Sequence, residues 1–404
     1  MMKKILLLEG SSLTSRETLN ILKQHGYAID IVSPALCPIS LFSRKKHRIL
    51  KVKNINQYPK EYLRQMNIII KRKYSLLLPT HEETWFFSAA RKYLPDGINI
   101  VLPPIESILK VQSKINFAKL LDKLEIPQPD WQVYSKGEKL NISFPLWVKR
   151  SYSTAGIGAK KVENIEEFAR LLDDYNGKIL LQKNIDGKYG QTEAVFSSGR
   201  MVGVHTSIQT ARGVGGSAAA RISVDYISNR KYIQQIGQYL NWNGCITLDF
   251  IHNKNGIYFI ECNPRLVEPG NAARAGVDFP KLILDISEGK TPKELLVGKK
   301  GIRTHGVIAV MLGTAQSTRN RKEIFKKFMD CIFHKGIFED SAEVLTPVKQ
   351  DLLNIVPIMI ILLSVLINPK IAKINAVNVV KYYSVKPRVI EWVLSLDKCD
   401  RKDT

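Results

Sequence analysis

The stretch Gly244-Cys245-Ile246-Thr247-Leu248-Asp249-Phe250, followed by Ile257-Tyr258-Phe259-Ile260-Glu261-Cys262-Asn263-Pro264-Arg265, constrains this chain more than any other. Alternating apolar positions (Ile246, Leu248, Phe250, then Ile257, Phe259) predict two strands. The intervening His252-Asn253-Lys254-Asn255-Gly256 has turn chemistry, so the strands pair as a hairpin. Asp249 and Glu261 then lie on neighbouring strands, with Asn263 two residues further along. Two carboxylates and an amide oxygen repel one another unless a cation joins them. Hard oxygen ligands suit Mg2+ (or Mn2+) bridging phosphate oxygens, and Arg265 adds a positive charge able to face a transferring phosphoryl group.

The remaining bulk properties set limits. The 404 residues, 45% of them hydrophobic, suffice for two or three domains with a sizeable core. Five cysteines, far apart and without a CxxC pair, argue against a disulfide framework or a zinc site and for a reducing cytoplasm. Ile5–Leu8 is too short for a signal-peptide core and fits a buried parallel strand. A formal charge of +23 would draw anions. The basic residues are scattered, however, and Arg44–Arg48 and Lys71–Lys73 accompany no nucleic-acid module, so no nucleic-acid partner is expected.

The first 110 residues alternate strand and helix: strands at Ile5–Leu8, Ala28–Val32, Tyr74–Leu78 and Ile98–Leu102, and a helix over Ser15–His25. That is a small doubly wound, Rossmann-like sheet. Thr80-His81-Glu82-Glu83 follows the third strand at the carboxyl end of the sheet, where Thr80 is either a helix cap or a substrate contact. Residues 113–125 form an amphipathic helix capped by Ser113 and ended by Ile126-Pro127-Gln128-Pro129. Phe144–Arg150 is a strand delivering Lys149 into Ser151-Tyr152-Ser153-Thr154-Ala155-Gly156-Ile157-Gly158, whose glycines let backbone N–H groups approach phosphate oxygens.

Taken in order, the helix with I-P-x-P, the S-T-A-G-I-G loop and the D-F…E-C-N-P-R hairpin resemble the ATP-grasp superfamily. Its carboxylate–amine ligase members, with ATP-binding folds like those of the carbamoyl-phosphate synthase large chain and D-alanine–D-alanine ligase, are the nearest type. The resemblance covers roughly residues 1–300 and implies an α/β and α+β fold. In it, residues 1–110 are the Rossmann-like domain that precedes the ATP-grasp core. Residues 111–300 are the two-lobed core, divided into 111–185 with the phosphate flap and 186–300 with the metal hairpin.

It further implies that ATP lies between the lobes. Lys114 and Lys149 approach its phosphates, Ser153, Thr154, Gly156 and Gly158 belong to the flap, and Gln182, Lys183 and Ile185 line the adenine hinge. Glu193 meets the ribose. Asp249, Glu261 and Asn263 ligate Mg2+ (or Mn2+). Arg265 and Arg221 stabilise an acyl phosphate, and Arg212 and Arg274 contact substrate. The implied activity joins a carboxylate to an amine with release of ADP and phosphate. A biotin-carboxylase-like or kinase-like enzyme, or a non-catalytic membrane-associated nucleotide-binding protein, are the alternatives.

Residues 301–404 form a C-terminal extension, beginning with a strand over His305–Leu312. The apolar run 352–367 is shorter than the roughly 20 residues needed to span a bilayer. A buried soluble helix is the first expectation. A homodimer contact and a peripheral membrane contact, which the following lysines would favour on anionic lipid, remain open. The tail Asp397–Thr404 is polar and expected to fray.

Overall fold

The computed structural model describes residues 3–400 apart from Ala155 and Asn176. Ala155 of the first glycine loop and the last four residues of the tail therefore lie outside the described residues.

The first sheet is parallel. It contains β1 (Lys4–Leu8), β2 (Ala28–Ser33), β3 (Arg48–Lys51) and β4 (Leu76–Leu78), in the order β3-β2-β1-β4. Ile5 to Leu8 are wholly buried, as expected of a strand covered on both faces. Helices α1 (Leu13–Gln24), α2 (Pro59–Ile70), α3 (Glu83–Ala89) and α4 (Ile105–Gln112) accompany it. The Ser12 hydroxyl caps α1 by accepting from Ser15 N.

Two expectations for this region need correction, and one strand was not foreseen. Ile98–Leu102 is not a strand. It runs alongside β4, and its recorded link to that strand is Leu77 N donating to Asn99 O. The sheet instead gains β3, which lies within the basic stretch and lacks a strand-like apolar run. Thr80 is not a helix cap: its hydroxyl donates to Leu8 O, tying the ends of β4 and β1 together. Strand order reverses between β1 and β4, and the residues just beyond their carboxyl ends, Glu9 and His81–Glu83, are buried.

Helix α5 (Lys114–Lys123) is capped by Ser113, whose hydroxyl accepts from Asn116 N. It covers an antiparallel sheet of β5 (Trp131–Tyr134), β6 (Leu146–Arg150), β7 (Ala159–Val162) and β8 (Ile179–Lys183), ordered β5-β8-β6-β7, with α6 (Ile165–Leu172) against it. The β6–β7 connection is the first glycine loop.

A large mixed sheet follows. Its strands are β9 (Lys188–Ser197), β10 (Arg200–Arg212), β11 (Ala218–Val224), β12 (Gly244–Asn253), β13 (Gly256–Asn263), β14 (Leu296–Val297), β15 (Arg303–His305) and β16 (Ser341–Glu343). They run β13-β12-β9-β10-β11-β15-β16, with β14 on β10. Helix α7 (Ile227–Tyr239) packs on one face; α8 (Gly270–Arg274) and α9 (Phe279–Ser287) lie between the other face and α1.

The expected strand His305–Leu312 ends at His305. Val307–Thr318 is helix α10, with Val307–Met311 all buried. An element that is apolar on every side carries no period to separate strand from helix. It packs with α11 (Arg321–Ile332) and α12 (Ile355–Ile367); α13 (Ile371–Tyr383) and α14 (Pro387–Asp400) then carry the chain back to α3. The apolar run is thus a helix, but not a buried one. Ile358, Leu362 and Val365 face the core, while Ile355, Val356, Met359, Ile360, Leu363 and Ile367 form an exposed stripe. No helix among the described residues is long and apolar enough to cross a membrane.

Candidate functional site

Strands β12 and β13 pair with Asp249 opposite Glu261 and Thr247 opposite Asn263. Strict alternation would put Phe259 and Glu261 on the same face, one of them wrongly. The register solves this with a bulge: after Asp249–Glu261 the next pair is Phe250–Phe259, leaving Ile260 extra. Phe259 enters the core with Phe250, and Glu261 turns to the site. The Ile260 carbonyl lies 3.4 Å from Lys149 Nζ.

The three proposed metal ligands are therefore brought together. Asn263 Nδ2 donates to Asp249 Oδ2 at 3.3 Å, and Gln191 Nε2 donates to Asp249 Oδ1 at 2.9 Å. Burial, and then repulsion from Glu261, push the Asp249 carboxyl up to about 7. A buried acid opposed by a second acid is the electrostatic condition that a divalent cation relieves. Among the described residues, no group of three or more His, Cys, Asp or Glu side chains has the arrangement of a metal cage. Two carboxylates and an amide would leave positions for phosphate oxygens and water, which is how Mg2+ is usually held.

Lysines surround this centre. Lys114 Nζ lies 2.9 Å from Glu261 Oε1 and 2.7 Å from Ser153 O. Its backbone N–H donates to Ser151 O, so the start of α5 is tied to the glycine loop. Lys149 is buried and bonded to Gln182 Oε1 at 2.6 Å. Burial lowers its pKa to about 8, so the site gains from an anion beside it. Arg265 Nη2 donates to Asn263 Oδ1 at 2.9 Å and approaches Thr154 Oγ1 at 3.5 Å. The flap residues Ser153 and Thr154 thus touch Lys114 and Arg265. Gly156 and Gly158 adopt positive φ, which a side chain would strain.

At the hinge, Lys183 N–H is taken by Asp130 O and Asn184 N–H by Pro145 O. Among the described residues, no backbone carbonyl takes the Ile185 N–H. The Lys183 side chain is exposed and lies 3.5 Å from Asp130.

Arg221 sits in the middle of β11. It is buried and bonded to Gln191 Oε1 and Glu268 Oε2. Glu193 lies opposite His205 and Thr247, on the face of the sheet that carries Gln191. It is fully buried with both carboxyl oxygens unpaired, and burial raises its pKa strongly. Lys188, where β9 leaves the hinge, is about 16 Å away along the strand at 3.3 Å per residue. Glu193 thus lies among Arg221 and the carboxylates near it, five residues along β9 from the hinge end. Arg212 and Arg274 are exposed, and no recorded hydrogen bond or ion pair joins either to this cluster.

Three participants escaped the sequence reading. Gln191 links Asp249 to Arg221. Glu268 pairs with Arg221. Glu17 on α1 accepts from Gly270 N and, by burial first and the Glu268 charge second, is raised to about 8. Glu17 has no sequence signal, because a glutamate within a polar helix reads as solvated.

Residues 111–269 match the ATP-grasp domain family. The carbamoyl phosphate synthase large chain of Thermoanaerobacter sp. (strain X514) is 31% identical over 221 residues, 50% of this chain and 20% of the relative; the chain thus spans about a fifth of such relatives. Among solved structures, the biotin carboxylase domain of Hydrogenobacter thermophilus 2-oxoglutarate carboxylase, in complex with MgADP and bicarbonate, superposes with a TM-score of 0.58 at 18% identity. It covers 73% of this chain and 72% of that one. The L-amino acid ligase of Bacillus licheniformis gives 0.55 at 14% identity, over 71% and 74%.

Proposed function

We propose that this chain, a member of the ATP-grasp superfamily, is a ligase that activates a carboxylate as an acyl phosphate and couples it to an amine. The observation that carries this reading is the convergence of Asp249, Glu261, Asn263, Lys114, Lys149 and Arg265 beside the glycine loop. ATP, with Mg2+ (or Mn2+) held by Asp249, Glu261 and Asn263, supplies the phosphoryl group, and the ion would offset phosphate charge. Lys114 and Lys149 hold the phosphates in line with the acid. Binding releases Lys114 from Glu261, freeing that carboxylate as a ligand.

Attack of the substrate carboxylate on the γ-phosphorus gives the acyl phosphate and ADP. The amine then attacks the acyl carbon and phosphate leaves. No protein nucleophile is needed; positioning and charge neutralisation carry the rate. Arg265 faces the acyl phosphate, and closure of Ser153–Gly158 keeps water from it. Arg221, held by Gln191 and Glu268, stands on the acceptor side.

Substrates are small carboxylates and amines. The exposed stripe on α12 supports a peripheral membrane contact, and a homodimer through the same face is its competitor. The test is ADP release on a matrix of acids (bicarbonate included) and amines, with mass spectrometry of the product. Glu261→Gln should cut turnover about a hundredfold or more with the melting temperature little changed. Wild-type turnover in that variant would reject the metal assignment, and acid-dependent ADP release that needs no amine would reject ligation.

A further inference from the structure

A cleft of about 570 Å³ lies between the outer side of the glycine loop, α3 and the segment joining α13 to α14. This is within the range of small-molecule sites, roughly 300–1,000 Å³. It is lined by Arg150, Tyr152 and the glycine-loop residues Ser153, Thr154, Ile157 and Gly158, whereas Lys149, next to Arg150 in sequence, faces Gln182 and the β12–β13 hairpin.

The inner end of the cleft reaches the reacting centre. Thr154 lines it and lies 3.5 Å from Arg265. Glu82 lines it as well, with one carboxyl oxygen accepting from Val385 N at 2.6 Å. The walls are mainly apolar and aromatic. Trp85 and Tyr152 stack at 5.6 Å with their planes 9° apart. Trp85 is buried, while Tyr152 keeps 39% of its surface exposed, so the free part of its ring is available for stacking. Val380, Val385 and Pro387 form the opposite wall. Lys160 and Lys386 also line the cleft; Lys160 comes within 3.8 Å of Asp174, and Lys386 has no carboxylate partner among the described residues.

We infer that this cleft seats the carboxylate substrate, and that the acid it takes has an aromatic body. The carboxylate reaches in to Thr154 and Arg265, the ring lies on Tyr152, and the lysines draw the anion inwards. The C-terminal extension thereby supplies one wall of the substrate site. This inference rests on the ligase reading for the identity of the ligand as a substrate.

Binding of 3-phenylpropionate and of acetate to the intact protein should be compared calorimetrically, with ADP and Mg2+ present and absent. The expected result is an affinity for 3-phenylpropionate at least about tenfold above that for acetate. Tyr152→Ala should lower it about tenfold, and Lys386→Glu, at a solvent-exposed position, several-fold. Affinity for ADP should not change in either variant. Equal binding of the two acids, or wild-type affinity in both variants, would overturn the proposal. ADP release measured alongside separates the two readings. Selective 3-phenylpropionate binding with no acid-dependent ADP release overturns the ligase and leaves the cleft an aromatic-acid site. Acid-dependent release with acetate and 3-phenylpropionate equally effective overturns the cleft alone.

Discussion

Lys114 Nζ lies 2.9 Å from Glu261 Oε1 and 2.7 Å from the carbonyl of Ser153. One ammonium thus joins a helix start, the β12–β13 hairpin and the glycine loop. Lys114→Met leaves Glu261 unpaired and the loop untied. The KM for ATP should rise about tenfold or more, the size of a lost charge-assisted hydrogen bond, and amide exchange over residues 151–158 should quicken. Unchanged KM and unchanged exchange together would show that the contact is incidental.

The Asp249 carboxyl, pushed up to about 7 by burial and by Glu261, makes metal binding compete with protons. From about pH 8 to about pH 6 the apparent Mg2+ affinity should fall about tenfold, one proton being displaced per ion. The stability effect has a definite sign. Between an unfolded value of about 3.9 and about 7, the folded chain holds a proton that the unfolded chain has lost. Metal-free stability therefore decreases as pH rises through that window. Asp249→Asn should flatten this slope in pH-dependent melting, and saturating Mg2+ should oppose it; a slope that survives the substitution would place the titration elsewhere.

Among the described residues, Arg221 is the cation in contact with Glu268, and it shares its buried surroundings with Glu193 and Glu17. Arg221→Ala strands those carboxyls and should cost about 3–5 kcal/mol of stability near neutral pH. Arg221→Lys keeps the charge but not the fork that meets Gln191 and Glu268 together. It should recover much of the stability while leaving kcat depressed. If Arg221→Lys restores kcat as fully as melting temperature, Arg221 is structural only.

How much was legible in the sequence varied with the kind of signal. Short polar motifs with a fixed order, such as D-F…E-C-N-P-R and the S-T-A-G-I-G loop, carried the fold and the hairpin that brings Asp249, Glu261 and Asn263 together. The bulge at Ile260 was hidden, since periodicity assumes unbroken alternation, and it is what lets Phe259 and Glu261 face opposite ways. Helix α10 was read as strand because it is apolar all round. Glu17 and Gln191 owe their roles to neighbours distant in sequence, Gly270 and Arg221. Composition likewise could not show which side of α12 would stay exposed.

That side consists of Ile355, Val356, Met359, Ile360, Leu363 and Ile367, spaced at helical intervals, with Leu363 54% and Ile367 74% exposed. The helix, 13 residues long, spans about 20 Å at 1.5 Å per residue, too short to cross a bilayer but long enough to lie in its surface. Lys370 and Lys373 follow it, and the chain carries a formal charge of +23, which favours anionic lipid over a second copy of an equally basic chain. The protein should co-sediment with vesicles containing phosphatidylglycerol, less so at high salt, and weakly with neutral phosphatidylcholine. The double substitution Ile360→Lys, Leu363→Lys puts two charges into the stripe without touching the core contacts of Ile358 and Leu362. It should abolish sedimentation and leave the melting temperature nearly unchanged. A wild-type dimer in sedimentation velocity that this substitution dissociates, without vesicle binding, would assign the stripe to self-association instead.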